Sequence, residues 1–157
     1  MESPQNHIWG PALWMILHSS AERIGSQVLK KLPEEEKRIW IGIINGLRFI
    51  LPCPQCKKHY IAFLKENPIV LFNKEIIRNW LFQLHDHVNQ STNKVNEPLI
   101  TIDQLPEIYG KPFQFTKYYA IFAKQVLFAI QLGWCTGDDV RRTARLFEEF
   151  RRFYDFF

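Results

Sequence analysis

Two of the three cysteines in this 157-residue chain stand three residues apart in the stretch LPCPQCKKHY, Leu51 to Tyr60. Three chemistries compete for that spacing: a redox-active disulfide, half of a zinc site, or two small apolar residues that happen to be neighbours. The flanking residues say what each sulfur faces. Pro54 suits the first position of a helix, which makes Cys53 its N-cap. A sulfur at such a position meets unpaired backbone N–H groups and the positive end of the helix dipole, a setting that favours thiolate over thiol. Lys57 and Lys58 add positive charge nearby. Cys56, one turn on, is within disulfide reach of Cys53. The arrangement predicts Cys53 exposed at the tip and Cys56 turned inward, one sulfur for a substrate and one for something inside. Zinc would take Cys53, Cys56 and His59, but a structural site needs four ligands, usually as two close pairs. No second C-x-x-C or H-x-x-x-H supplies the other pair; Cys135 is alone, and His85 and His87 are two apart. On spacing alone all three readings stay open.

Two further stretches put polar groups on aromatic faces. WGPALWMILH places Trp14 and His18 at i and i+4, on one face of a helix. NWLFQLHDHVNQSTNK does the same for His85 and Asn89 on another, with Lys94 five residues beyond. Such residues most often serve core packing. Two helices carrying them also suit the clamping of a planar cofactor, with Lys94 to neutralise a phosphate.

The elements that must position these groups are helical. Apolar residues recur at three- and four-residue steps from Pro11 to about Leu29, then from Pro33 to Ile50. A third helix is expected from Pro54 to about Lys65 and a fourth from about Asn73 through Gln90. A short fifth follows, which Asp103 could cap. After Lys111 comes a helical hairpin, with Phe115, Tyr119, Phe122, Val126 and Ile130 on one face and Val140, Phe147, Phe150 and Tyr154 on the other. Thr136 and Asp139 have capping-box spacing before the second arm. The predicted fold class is all-α: a four-helix bundle plus a short fifth helix, residues 1–110, with an added C-terminal hairpin, residues 111–157. Two helices alone cannot bury such faces, so the hairpin is expected to pack on the core or on a dimer partner, outside the redox chemistry.

Composition agrees. Hydrophobic residues make up 46% and charged residues 23%, enough for a buried core, and the three cysteines are too few for a secreted disulfide framework. A net charge of +4 from 20 basic and 16 acidic residues is mild, and no basic block argues for nucleic acid. The opening MESPQNHIWG lacks the regions of a signal peptide, and Lys124, Gln125 and Gln131 interrupt the most apolar stretch. The expectation is a soluble protein with no membrane span.

Taken together, WGPALWMILH, LPCPQCKKHY and NWLFQLHDHVN, with NK after them, resemble the Erv/ALR flavin-dependent sulfhydryl oxidases in order and spacing, over about residues 8 to 110. The LPC lead-in and the KENP loop look most similar to the oxidases of large cytoplasmic DNA viruses. The resemblance implies a bundle holding FAD noncovalently, with the Cys53–Cys56 disulfide against the isoalloxazine. Trp14 and His18 match the first-helix flavin contacts, and Gly10 joins the cofactor-binding set. His85 and Asn89 match contacts to the adenosine half, and Lys94 the basic residue near the phosphates. Phe82 stands at a cofactor-lining position, and Tyr109 where the fifth helix carries an aromatic over the cofactor. Asp86 stands where the family usually has Asn.

The activity so implied is thiol oxidation. Cys53 exchanges with a protein dithiol and Cys56 is released beside the flavin; electrons pass to its C4a position and on to O₂, giving hydrogen peroxide. No shuttle cysteines stand on the tail, so a separate thioredoxin-like or C-x-x-C protein is the expected substrate, and a homodimer paired through the first helices is the default. Cytosolic disulfides are ordinarily rare, which suits a viral oxidase in the cytoplasm of an infected cell or in the virion; the mitochondrial intermembrane space is the alternative. A zinc-stabilised or redox-inactive helical interaction module is the rival reading of function.

Overall fold

The computed structural model describes residues 2–26, 33–92 and 100–156, and its elements are helical as the periodicity predicts. In chain order they are α1 (Asn6–Glu22), α2 (Pro33–Ile50), α3 (Pro54–Glu66), α4 (Lys74–Ser91), a 3₁₀ turn (Ile102–Gln104) running into α5 (Leu105–Tyr109), α6 (Phe115–Gln131) and α7 (Gly137–Phe153). Among the described residues no helix is long and apolar enough to cross a membrane.

Local signals place most of the helix ends. Asn73 caps α4 by accepting from the Ile76 N–H at 2.8 Å, and Thr136 caps α7 by accepting from the Asp139 N–H at 3.3 Å. The turn before α5 is capped by Thr101 instead of Asp103. The Thr101 side chain accepts from the backbone of Gln104, whose side chain accepts from the Thr101 N–H at 2.8 Å, a T-x-x-Q capping box.

Helix α1 departs most from expectation. It starts at Asn6, with Pro11 inside it, because tertiary contacts hold the residues ahead of the proline. The Gln5 N–H donates to the buried Gln125 side chain of α6 at 2.7 Å, and Trp9 packs on Phe122 of α6, ring centroids 6.3 Å apart. It ends at Glu22, and Gly25 follows with φ 89°, a left-handed conformation that glycine adopts without a Cβ clash. Val28, expected on its face, lies outside the described residues.

Helix α1 packs on α4 and α5, and α2 packs on α3; the hairpin completes the core by laying α6 along α1 and α7 along α2. The approach of α7 is close. A Cβ at Gly42 would lie 2.7 Å from Leu146, and one at Gly46 would lie 2.7 Å from Thr143. Beside this seam Trp40, with no exposed surface, donates through Nε1 to the Tyr154 hydroxyl at 2.9 Å. That hydroxyl donates in turn to the buried Glu36 carboxylate at 2.5 Å, and Gly25 N–H meets the same oxygen at 3.1 Å. Arg23 ties the chain's end to its start. Its guanidinium donates to the carbonyls of Ser19, Tyr109, Lys111 and Asp155 at 2.8–3.1 Å and lies 4.9 Å over the Phe156 ring.

Candidate functional site

Helix α3 opens as its sequence dictates. Cys53 is the N-cap, in extended backbone, and its Sγ accepts from the Cys56 N–H at 3.2 Å. Both cysteines are free and half-buried, so exposure alone does not separate them. What each faces does. Cys56 lines a cavity of about 990 Å³ between α1, α3, α4 and α5, whereas Cys53 stands outside that wall. Burial, followed by the neighbouring Cys53, pushes the Cys56 thiol up to about 12. Cys135 is buried and its thiol is also raised, chiefly by burial.

The other residues singled out by sequence meet on the same cavity. Gly10, Trp14 and His18 reach it from α1, Phe82, His85 and Asn89 from α4, and Tyr109 from α5; Lys94 lies outside the described residues. The rings are in contact with one another. Trp14 and His85 stack at 4.1 Å with planes 9° apart, and His18 stacks on Tyr109 at 4.6 Å. A clamp with the cofactor between the α1 and α4 rings is therefore not what the geometry offers at this point; the stacked rings form one continuous wall. Arg78 locks this arrangement from behind, donating to Glu22 of α1 at 2.7 Å and to the Ile102 carbonyl ahead of α5 at 3.3 Å.

His18 is 2% exposed, and its Nε2 lies 3.1 Å from Nδ1 of His85, so one ring nitrogen donates and the other accepts. Desolvation, and then the charge of His85, hold His18 far below the usual histidine range, at about 3. The folded value is below the unfolded one, so the folded state binds fewer protons between them. Stability tied to His18 is thus fully present above about pH 6.5 and declines as the pH falls toward the folded value. Between pH 6 and 4.5 the unfolding free energy of the wild type should fall more steeply than that of His18→Gln, by up to about 1.4 kcal/mol per pH unit. Equal slopes in chemical denaturation would show that His18 does not titrate with folding.

Sequence reasoning passed over two features of this site. All five histidines of the chain, His7, His18, His59, His85 and His87, line the cavity, which only the tertiary fold reveals. Asn6 also reaches it. Its Oδ1 accepts from Nε1 of Trp9 at 3.0 Å, which leaves its amide Nδ2 aimed at Sγ of Cys56, 3.9 Å away. The i, i+3 spacing of Asn6 and Trp9 was the only signal available. Among the described residues no three His, Cys, Asp or Glu side chains form a group able to hold a metal ion, so Cys53, Cys56 and His59 do not converge as zinc ligands.

The cavity fits a bulky planar ligand with a polar end. Its volume is in the upper range for cofactor sites. A Cβ built on Gly10, which lines it, would meet nothing within 4 Å, so that stretch of wall borders open space. The aromatic wall faces one part, and the polar end of α4, with Asn89, Ser91 and Thr92, borders another.

Comparison with known proteins bears on the same elements. The model of the Erv1 / Alr family matches residues 11–105. An FAD-linked sulfhydryl oxidase of African swine fever virus is 34% identical over 111 residues, covering 71% of this chain and 87% of the relative. A probable FAD-linked sulfhydryl oxidase of Acanthamoeba polyphaga mimivirus is 30% identical over 89 residues, 55% of this chain and 59% of its own. A plant FAD-linked sulfhydryl oxidase from Oryza sativa is 28% identical over 102 residues, 65% of this chain and 49% of its own. No solved structure is a significant match.

Proposed function

The chain belongs to the Erv1 / Alr family, and from that premise we propose that it is an FAD-linked thiol oxidase whose redox pair is Cys53 and Cys56. One observation carries the reading: Cys56 lines the cavity together with Gly10, Trp14, His18, Phe82, His85, Asn89 and Tyr109, while Cys53 stands outside. Those wall residues are the ones we assign to the cofactor, with Lys94 assigned from the family motif alone.

A substrate thiolate attacks Sγ of Cys53, forming a mixed disulfide and breaking the Cys53–Cys56 bond, and Cys56 leaves with the electron pair. The second substrate thiol, once deprotonated, attacks the substrate sulfur and displaces Cys53. The substrate leaves as a disulfide, and the protein pair holds its two electrons. Bound FAD supplies the acceptor for those electrons and their route to O₂, giving hydrogen peroxide. A sulfur as reluctant to ionise as Cys56 needs help to leave, and the Asn6 amide is placed to donate to it.

Dithiols and O₂ are the reactants. Within that class we take a thioredoxin-like or C-x-x-C protein as the physiological substrate, because the tail has Cys135 alone in place of a shuttle pair. We place the work in infected cytoplasm or the virion, following the viral relatives, with the mitochondrial intermembrane space as the alternative. The residues assigned to the cofactor all lie within 1–110, and 111–157 are taken as an extension that this part needs in order to fold. A homodimer stays part of the reading, although α6 and α7 lie on α1 and α2, so pairing must use surface those helices leave open.

The cofactor assignment has a direct test. His85→Ala combined with Asn89→Ala should lose flavin on dialysis and unfold at lower temperature, because a ligand that binds only the folded state stabilises it. Flavin content by absorbance, with melting followed in parallel, reads the result. Full flavin retention in the double variant would remove α4 from the cofactor wall.

A further inference from the structure

The α6–α7 turn is bonded to the segment that carries the exchanging sulfur. Helix α6 ends in a Schellman motif: Gly133, at φ 78°, donates to the Ile130 carbonyl at 3.0 Å, and Trp134 N–H donates to the Ala129 carbonyl at 2.8 Å. Thr136 then caps α7, donating through its hydroxyl to the Asp139 carboxylate at 2.9 Å. Only Trp134 and Cys135 stand between these two fixed ends, and both are held by the segment around Cys53. Lys57 donates through Nζ to the Trp134 carbonyl. The Cys135 thiol points at the Leu51 carbonyl, 3.8 Å away, and that same oxygen accepts from Cys53 N–H at 2.8 Å. Lys57 N–H in turn donates to the Cys53 carbonyl at 3.0 Å. Two consecutive residues of the extension are thereby bonded to both flanks of Cys53.

Their side chains go opposite ways. Cys135 is 5% exposed, whereas Trp134 keeps 38% of its surface in solvent. An exposed tryptophan is ordinary in itself. This one sits on a turn bonded on both sides to the segment that carries Cys53, the sulfur that every substrate must reach. Its backbone is held through both its N–H and its carbonyl, so packing against it costs little further ordering of the main chain.

We propose that Trp134 is a specificity-determining residue, forming a docking wall beside Cys53 for a polypeptide that carries the dithiol. This rests on the thiol-oxidase reading above. A small dithiol reaches Cys53 without touching the indole. A folded or extended chain presents apolar residues on either side of its cysteines, and an aromatic anchor is the residue type that gains most from covering them.

The test compares two substrates in the full-length flavoprotein, dithiothreitol and reduced thioredoxin, by oxygen consumption. The Trp134→Ala change leaves both backbone contacts of the turn in place. It should lower kcat/KM for thioredoxin at least about tenfold, mostly through KM, while dithiothreitol stays within about twofold. Trp134→Phe should recover most of the loss. An unchanged thioredoxin rate, or an equal fall with both substrates, would overturn the proposal. So would a wild-type protein that oxidises dithiothreitol and not thioredoxin. A wild type that oxidises neither would instead overturn the thiol-oxidase reading on which the proposal stands.

Discussion

Replacing Cys53 or Cys56 with serine is expected to lower dithiol turnover at least about a thousandfold, roughly 4 kcal/mol of barrier, while flavin stays bound. The effect is large because neither sulfur has a substitute in the exchange sequence. Without Cys53 there is no external disulfide sulfur to attack; without Cys56 there is no cysteine on the cavity wall to receive the electron pair. Serine keeps the N-cap at position 53, so the start of α3 should persist. Cys135→Ser provides the control. The Cys135 side chain donates to the Leu51 carbonyl, a bond that a hydroxyl can also make, and turnover should stay within about threefold, below about 1 kcal/mol. A Cys135 variant as inactive as the Cys53 variant would mean that electrons travel through three cysteines and not two.

Truncation after Gly110 should leave a chain that neither folds stably nor retains flavin. The family match ends at residue 105, yet the core does not end there. Removing α6 and α7 uncovers Trp9 and Trp40, whose rings pack on Phe122 and Phe150, and empties the seam that Gly42 and Gly46 form with α7. Each large apolar side chain returned to water costs about 1.5–3 kcal/mol, against about 5–15 kcal/mol of stability for an entire domain. Two such losses, about 3–6 kcal/mol, already reach the lower end of that margin. The truncation also leaves Trp40 and Glu36 without Tyr154, and Arg23 without the Asp155 carbonyl. Circular dichroism and gel filtration would read the outcome. A monodisperse, yellow truncated protein would show that α1–α5 are self-sufficient and that the hairpin is an appendage.

Much of this was legible before the structure, and the parts that were share a cause. Cys53, Asn73 and Thr136 cap their helices through contacts three residues long, so short-range sequence decides them. The apolar periods of α2, α6 and α7 are likewise local, and they anticipated Phe122, Phe147 and Phe150 as core. Helix α1 begins at Asn6 and not at Pro11 because its start depends on Gln125 and Phe122, more than a hundred residues away. Thr101 was overlooked although its T-x-x-Q pattern was in plain view, since Asp103 drew the cap to itself. The amide of Asn6 gains meaning only once α1 and α3 come together at Cys56. The hairpin was expected to stand apart from the chemistry, and nothing in its amphipathic faces shows that its turn would bond to Leu51 and Lys57.

The central claim is that electrons from a dithiol pass through Cys53 and Cys56 to bound flavin. The measurement that tests it most directly is anaerobic titration of the purified protein with dithiothreitol, followed by absorbance at the flavin band. The account predicts a yellow protein that bleaches on addition of the dithiol and recovers on admission of O₂ with one hydrogen peroxide for each dithiol oxidised to disulfide, and a Cys56→Ser variant that stays yellow throughout. A colourless protein, or a Cys56→Ser variant that bleaches as fast as the wild type, would contradict it.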